Sequence, residues 1–260
     1  RSDLAQLPDR SGGQPLTDRL RPLNVFGKTR LVGTSCTVTK VVLIHGAWHG
    51  AWCWDGVVAE LQHRGVEATA VELPLTGFAE DVAAARSAIQ AAGGDAIVVG
   101  HSYGGRVITQ AATGLPVARL VYVAAFLGDP RDEDVPATSS LLGASLLIDG
   151  LELRVDPQAA AAVFYSDADA QAATAWVARL RPMPLEGPSV SDAEAAWRSI
   201  PSTYLVCTND QALPPVSQRK MAANASEVIE WPTDHSPFLT RPAELAELIL
   251  GGTPDGRGRR

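Results

Sequence analysis

The sequence contains no run of about 18 apolar residues, so no helix in it is expected to span a bilayer. Its three cysteines, Cys36, Cys53 and Cys207, lie far apart and form no CxxC pair. That excludes a disulfide scaffold or a zinc ribbon and points to a reducing compartment, the cytoplasm. No apolar signal segment follows Arg1-Ser2-Asp3, and a chain opening on Arg is expected of a processed or truncated product. Internal repeats and low-complexity tracts are absent. Positive charge is scarce where a nucleic acid would need it. Residues 1–30 and 255–260 are basic, which leaves 31–254 with 13 basic against 25 acidic residues, a net −12. Such a body repels phosphate backbones, so no nucleic-acid partner is expected, and the basic ends read as solvated tails.

What is present suits one large domain. Of 260 residues 46% are hydrophobic and 20% charged, enough to bury a sizeable core. Short continuous apolar runs at Val41–Ile44, Ala96–Val99, Leu120–Val123 and Tyr204–Val206 are β-branched and bounded by turn residues, the pattern of strands buried on both faces. Val66–Val71 and Glu227–Trp231 are weaker strand candidates. Between them, helical spacing links Trp54, Val57, Val58 and Leu61, then Val82, Ala85 and Ile89. Leu245, Leu248 and Ile249 stripe a last helix that Gly251-Gly252 stops. The alternation predicts an α/β fold with a doubly wound, mostly parallel sheet. Residues 129–195 break the rhythm and read as a small helical cap, with Ala173, Trp176, Val177 and Leu180 on one helix. Residues 1–36 are expected to be a disordered leader, with a short edge strand near Leu31-Val32. The domain covers 37–252, and 253–260 are a flexible tail.

The strongest local signal is Gly100-His101-Ser102-Tyr103-Gly104, placed directly after one strand and before a helical pattern. A Gly-x-Ser-x-Gly in that context is a nucleophile elbow, whose glycines allow a turn too sharp for larger neighbours. A nucleotide-binding loop is the alternative, but G-x-G-x-x-G is not matched and no Walker lysine follows. A serine hydroxyl needs a base, and the base needs orienting. Asp210, just past the strand that ends at Val206, and His235, in the loop before the last helix, complete the order Ser…Asp…His. Asp129 and Asp234 are competing acids. Of the other histidines, His63 reads as exposed and His101 as packing. Acyl transfer also needs two fixed backbone donors. Tyr103 follows the nucleophile, and Ala47 lies in the turn His45-Gly46-Ala47-Trp48-His49-Gly50. A metal bound by His45 and His49 is disfavoured, because Gly46 and Gly50 oppose the helix such a pair requires. Asn224-Ala225-Ser226 matches a glycosylation sequon but lacks the secretory context to matter.

Separated stretches of the chain carry a family resemblance. They are His45-Gly46-Ala47-Trp48-His49-Gly50-Ala51-Trp52-Cys53-Trp54, Glu72-Leu73-Pro74-Leu75-Thr76-Gly77, Val99 to Gly105, and Ile200 to Asp210 with Asp234-His235-Ser236-Pro237-Phe238. Together they resemble the α/β-hydrolase superfamily, within the branch of plant methylesterases, the salicylate-binding esterase, hydroxynitrile lyases and bacterial esterase relatives. The resemblance spans roughly residues 38–250. It implies a catalytic triad of Ser102, Asp210 and His235, and an oxyanion hole at Ala47 and Tyr103. Residues 1–36 have no counterpart in it.

The expected activity is hydrolysis of small to medium, largely apolar carboxylic esters through an acyl-enzyme on Ser102. Trp48, Trp176 and Phe238 are expected at the pocket wall. No metal, nucleotide or flavin cofactor is implied, and the partners expected are a small-molecule ester and a second copy of the chain in a homodimer. Two rivals remain: a cofactor-free hydroxynitrile lyase on the same triad, and a ligand-binding protein without turnover. In lyases of this family a lysine directly after the catalytic histidine holds the departing cyanide. Here that position is Ser236, and the nearest downstream cation, Arg241, is expected to face solvent. An arginine inside the pocket would favour the lyase.

Overall fold

In the computed structural model, residues 39–128, 138–185 and 195–251 are described. The chain divides between Cys36 and Thr37, and the leader, the edge strand near Leu31-Val32, the tail and Asp129 all lie outside the described residues. The sheet begins with β1 (Lys40–Ile44), β2 (Glu67–Val71), β3 (Ala96–His101) and β4 (Val117–Val123). After the cap strands β5 (Leu146–Asp149), β6 (Glu152–Val155) and β7 (Met183–Pro184), it is completed by β8 (Ser202–Cys207) and β9 (Glu227–Trp231). The order is β2-β1-β3-β4-β8-β9, with every neighbouring pair parallel. The chain adds β2 on one side of β1 and β3 on the other. That reversal opens a crevice at the carboxyl ends of the strands, where parallel sheets hold their ligands.

Burial explains why some strands were plainer in sequence than others. β3 and β8 are buried at every residue, whereas the edges β2 and β9 alternate exposed and half-buried positions until a buried last residue. Successive residues point to opposite faces. Val42, Ile44, Val98, Tyr122 and Tyr204 enter one core, beneath α2 (Phe78–Ala92) and α3 (Gly104–Ala111). Val41, Leu43, Val99, Val123 and Leu205 enter the other, against α1 (Asp55–His63) and α9 (Pro242–Ile249). Between β9 and α9 runs the short α8 (Pro237–Thr240). Gly251 adopts φ +86° and ends α9. Among the described residues no helix is long and apolar enough to cross a membrane.

The cap is not purely helical, a correction to the sequence reading. It holds α4 (Ser140–Ala144), α5 (Pro157–Phe164), α6 (Ala170–Val177) and an antiparallel sheet of order β5-β6-β7. The hairpin signal was present at Asp149-Gly150: a two-residue loop with its glycine first, at φ +63°, matches the twist of paired strands. Ser139, Asp156 and Asp169 cap the three helices by accepting backbone N–H bonds.

The elbow depends on close approach. A β-carbon at Gly100 would lie 2.6 Å from the Gly104 carbonyl oxygen, and one at Gly104 would lie 2.6 Å from that of His45. Gly104→Ala is therefore expected to destabilise the protein by about 1–3 kcal/mol or prevent folding, because backbone rather than a flexible side chain blocks the methyl. Gly143→Ala, in α4 with open space around its β-carbon, is expected to stabilise by about 0.5–1 kcal/mol. Urea unfolding of the two variants checks both signs; equal midpoints would contradict the packing.

Candidate active site

Ser102 stands at the end of β3 with φ +51°, a left-handed conformation that costs a residue bearing a β-carbon on the order of 1–3 kcal/mol. The fold holds it there by hydrogen bonds: its N–H donates to Val123 O at 3.2 Å, and its carbonyl accepts from Gly105 N and Phe126 N. Asp210 follows β8 and His235 follows β9. His235 Nδ1 donates to Asp210 Oδ2 at 2.6 Å, with both side chains buried. Asp210 is held in turn. Its Oδ1 accepts from Ala212 N and Leu213 N, and its Oδ2 also accepts from Gln218 Nε2 at 2.8 Å. Gln218, fully buried on α7 (Pro215–Ala222), bonds both the N–H and the carbonyl of Cys207 as well. No sequence pattern singled it out, since its role depends on a neighbour brought close by the turn after β8.

Ser102, Tyr103, Ala47 and His235 line one cavity of about 220 Å³. Its wall is mainly apolar, formed by Trp48, Phe126, Leu142, Leu153, Phe164 and Leu213. Two expected wall residues lie elsewhere. Phe238 is fully buried beneath the site, packed on Trp54 and His101, because α8 turns it into the inner core. Trp176 stacks edge-on against Tyr165 within the cap. One wall residue was unforeseen: Arg106, a turn along α3 from the elbow, lays its guanidinium over Phe126 at 4.6 Å. Arg241 lies outside the cavity and donates to Pro232 O.

Four buried histidines surround the site, and their partners define their tautomers. His45 Nε2 accepts from Leu73 N, so its proton is on Nδ1 and is donated to Gly46 O. Because a trans peptide sets its N–H opposite its C=O, this bond also aims the Ala47 N–H. His49 Nδ1 donates to Ala47 O, and its Nε2 accepts from Tyr165 Oη. His101 Nε2 donates to the His235 carbonyl. Burial lowers the pKa of His45 to about 4 and of His49 to about 3, and pushes His101 well below its usual range. With these ring nitrogens engaged, His45 and His49 do not converge on a cation, and no metal-ligand cluster occurs among the described residues.

Carboxylates complete the frame. Asp81 on α2, 1% exposed, accepts from Tyr103 Oη at 2.7 Å and from Leu75 N at 2.8 Å, and burial raises its pKa. Asp234, the competing acid beside His235, is used structurally instead. Its carboxylate accepts from Asp167 N of the cap and from Ser236 N, and its own N–H donates to the Asp167 carboxylate.

A family model described as the alpha/beta hydrolase family matches residues 41–248. The chain is 29% identical over 242 residues to alpha/beta hydrolase nvfD of Aspergillus novofumigatus, covering 80% of this chain and 94% of that protein. It is 29% identical over 247 residues to methylesterase 7 of Arabidopsis thaliana, covering 81% and 95%. Among solved structures, a pyrethroid hydrolase from Sphingobium faniae JZ-2 superposes with TM-score 0.66 at 25% identity, covering 83% of this chain and 97% of that one. Polyneuridine aldehyde esterase shares the fold, with TM-score 0.70 at 20% identity.

The neutral histidines set a pH dependence. Unfolded, each ring titrates near 6.5; folded, His45 and His49 stay neutral down to about 4 and about 3. Between those values the unfolded chain binds more protons, so the stability present above pH 6.5 falls as the solution is acidified. At pH 5 each ring is expected to remove on the order of 2 kcal/mol. Urea midpoints at pH 7 and pH 5 test this, and His49→Gln should shrink the difference. A midpoint unchanged or raised at pH 5 would contradict neutral rings.

Proposed function

The chain belongs to the alpha/beta hydrolase family, and from that premise we propose that it is a serine esterase acting on small, largely apolar carboxylic esters. The observation that carries this reading is the buried His235–Asp210 pair at 2.6 Å, with its ring on the cavity wall that also holds Ser102. Ser102 Oγ attacks the ester carbonyl carbon while His235 Nε2 takes its proton. Asp210 keeps the other ring proton on Nδ1 and stabilises the imidazolium. The N–H groups of Ala47 and Tyr103 receive the charge on the tetrahedral oxygen. Collapse expels the alcohol, which leaves with the proton from His235. Water then repeats the sequence on the acyl-enzyme and releases the acid. The apolar wall favours uncharged acyl groups, and the methylesterase relative supports an ester as substrate.

Cyanohydrin cleavage on the same triad is the second reading, and Arg106 on the cavity wall is the observation in its favour. Against it, Ser236 follows His235, and neither it nor Pro237 or Phe238 can hold an anion by charge.

We expect p-nitrophenyl acetate or butyrate to be hydrolysed and mandelonitrile to be cleaved negligibly. Ser102→Ala should keep the melting temperature and lose on the order of 10⁴-fold in rate. More than about a hundredth of wild-type activity in that variant would remove Ser102 from the nucleophile's role. Cyanide release at a rate matching ester turnover would establish the lyase, and failure of a fluorophosphonate to label Ser102 would favour a binding protein.

A further inference from the structure

The turn that supplies Ala47 is strained and is gripped from the cap. Trp48 has φ +63°, a conformation that a bulky side chain adopts only where its surroundings impose it. Two cap segments impose it. The indole Nε1 donates to Leu153 O on β6 at 3.0 Å. Arg181, between α6 and β7, donates its own backbone N–H to Trp48 O at 2.7 Å. Its guanidinium then donates to His49 O from Nη2 at 2.9 Å and from Nε at 3.2 Å, and to Leu73 O at 3.1 Å. The same guanidinium pairs with Glu72 at 2.6 Å, and Glu72 Oε2 accepts the Ala51 N–H at 2.7 Å. One cap residue thus takes up consecutive carbonyls of the turn and, through Glu72, ties down the next stretch of chain.

We propose that Arg181 is a positioning residue for acyl transfer, clamping the Trp48 turn so that the neighbouring Ala47 N–H points at the developing oxyanion. This rests on the esterase reading above. Arg181 touches neither nucleophile nor base; it acts through the two peptide groups it holds. Released, Trp48 can leave its positive φ, and the change passes through the Ala47–Trp48 peptide to the backbone dihedrals of Ala47, and so to the Gly46–Ala47 peptide that bears the Ala47 N–H. The ion pair with Glu72 is partly exposed and contributes little by itself. The guanidinium's bonds to the His49 and Leu73 carbonyls, and not its charge, carry the effect that a substitution removes; the main-chain bond to Trp48 O stays in any variant at this position. The cap is accordingly a brace for the acyl-transfer machinery as well as a wall of the cavity.

Steady-state kinetics on p-nitrophenyl butyrate test the assignment. Arg181→Ala is expected to lower kcat by about 10–100-fold, the scale of a mispositioned donor, with KM within about threefold. Arg181→Lys, which keeps one donor group, should fall between that variant and wild type. Inhibition by butylboronic acid, whose tetrahedral adduct on Ser102 needs the oxyanion donors, should weaken in step with kcat, while butyramide inhibition stays constant. Arg64→Ala, which removes a surface pair with Glu60 on α1, is the control and should leave kcat unchanged. Unchanged kcat and boronate affinity in Arg181→Ala would overturn the clamp, as would equal loss of boronate and butyramide binding. If Arg181→Ala does not fold, Arg181→Lys decides by the same readouts. A wild-type protein that neither turns over esters nor labels with fluorophosphonate would instead overturn the esterase reading, and the clamp with it.

Discussion

The contact of the α3 backbone with the ends of β1 and β3 underlies the rest of this site. Gly100 and Gly104 have no room for a β-carbon, so the chain reverses within a few residues and Ser102 is left at φ +51°. The same approach presses Gly46 against the side chains of His101 and Ser102, which brings the loop after β1 beside the elbow. The strain at Ser102 and Trp48 is sustained because hydrogen bonds from several elements hold each turn.

Around this contact several polar side chains are buried. His45, His49 and His101 are buried, neutral and bonded to the carbonyls of the loops that hold Ala47 and His235. None of the three carries a charge near neutral pH, and the ring that lines the cavity is His235, paired with Asp210. Gln218 and the N–H groups of Ala212 and Leu213 satisfy the oxygens that His235 leaves open. A buried carboxylate with fewer partners would be costly.

The cap takes part in the same network. Asp167 and Asp234, beside His235, each donate a backbone N–H to the other's carboxylate, Tyr165 bonds His49, and Leu153 and Arg181 hold Trp48. It therefore braces the loops on both sides of Ser102 while supplying Leu142, Leu153 and Phe164 to the cavity. Arg106 gives that cavity its cationic wall position, with its guanidinium spread over Phe126.

Local sequence determined whatever depends on local constraint. The elbow was legible because only glycine permits its turn. The buried strands were legible because burial on both faces demands continuous apolar residues. Ser102, Asp210 and His235 could be named from sequence because the chemistry proposed for them needs those residue types just past the carboxyl ends of strands, here β3, β8 and β9. Tertiary structure alone decided the rest. The rim of the cavity depends on side-chain direction, which placed Phe238 in the core and Trp176 within the cap, and brought Arg106 to the wall instead. Gln218, Asp81 and Arg181 owe their roles to partners distant along the chain or across a turn, and no period or motif encodes such meetings. Spacing along a chain reports what a residue's own segment requires; hydrogen bonding across the fold is set only when those segments pack.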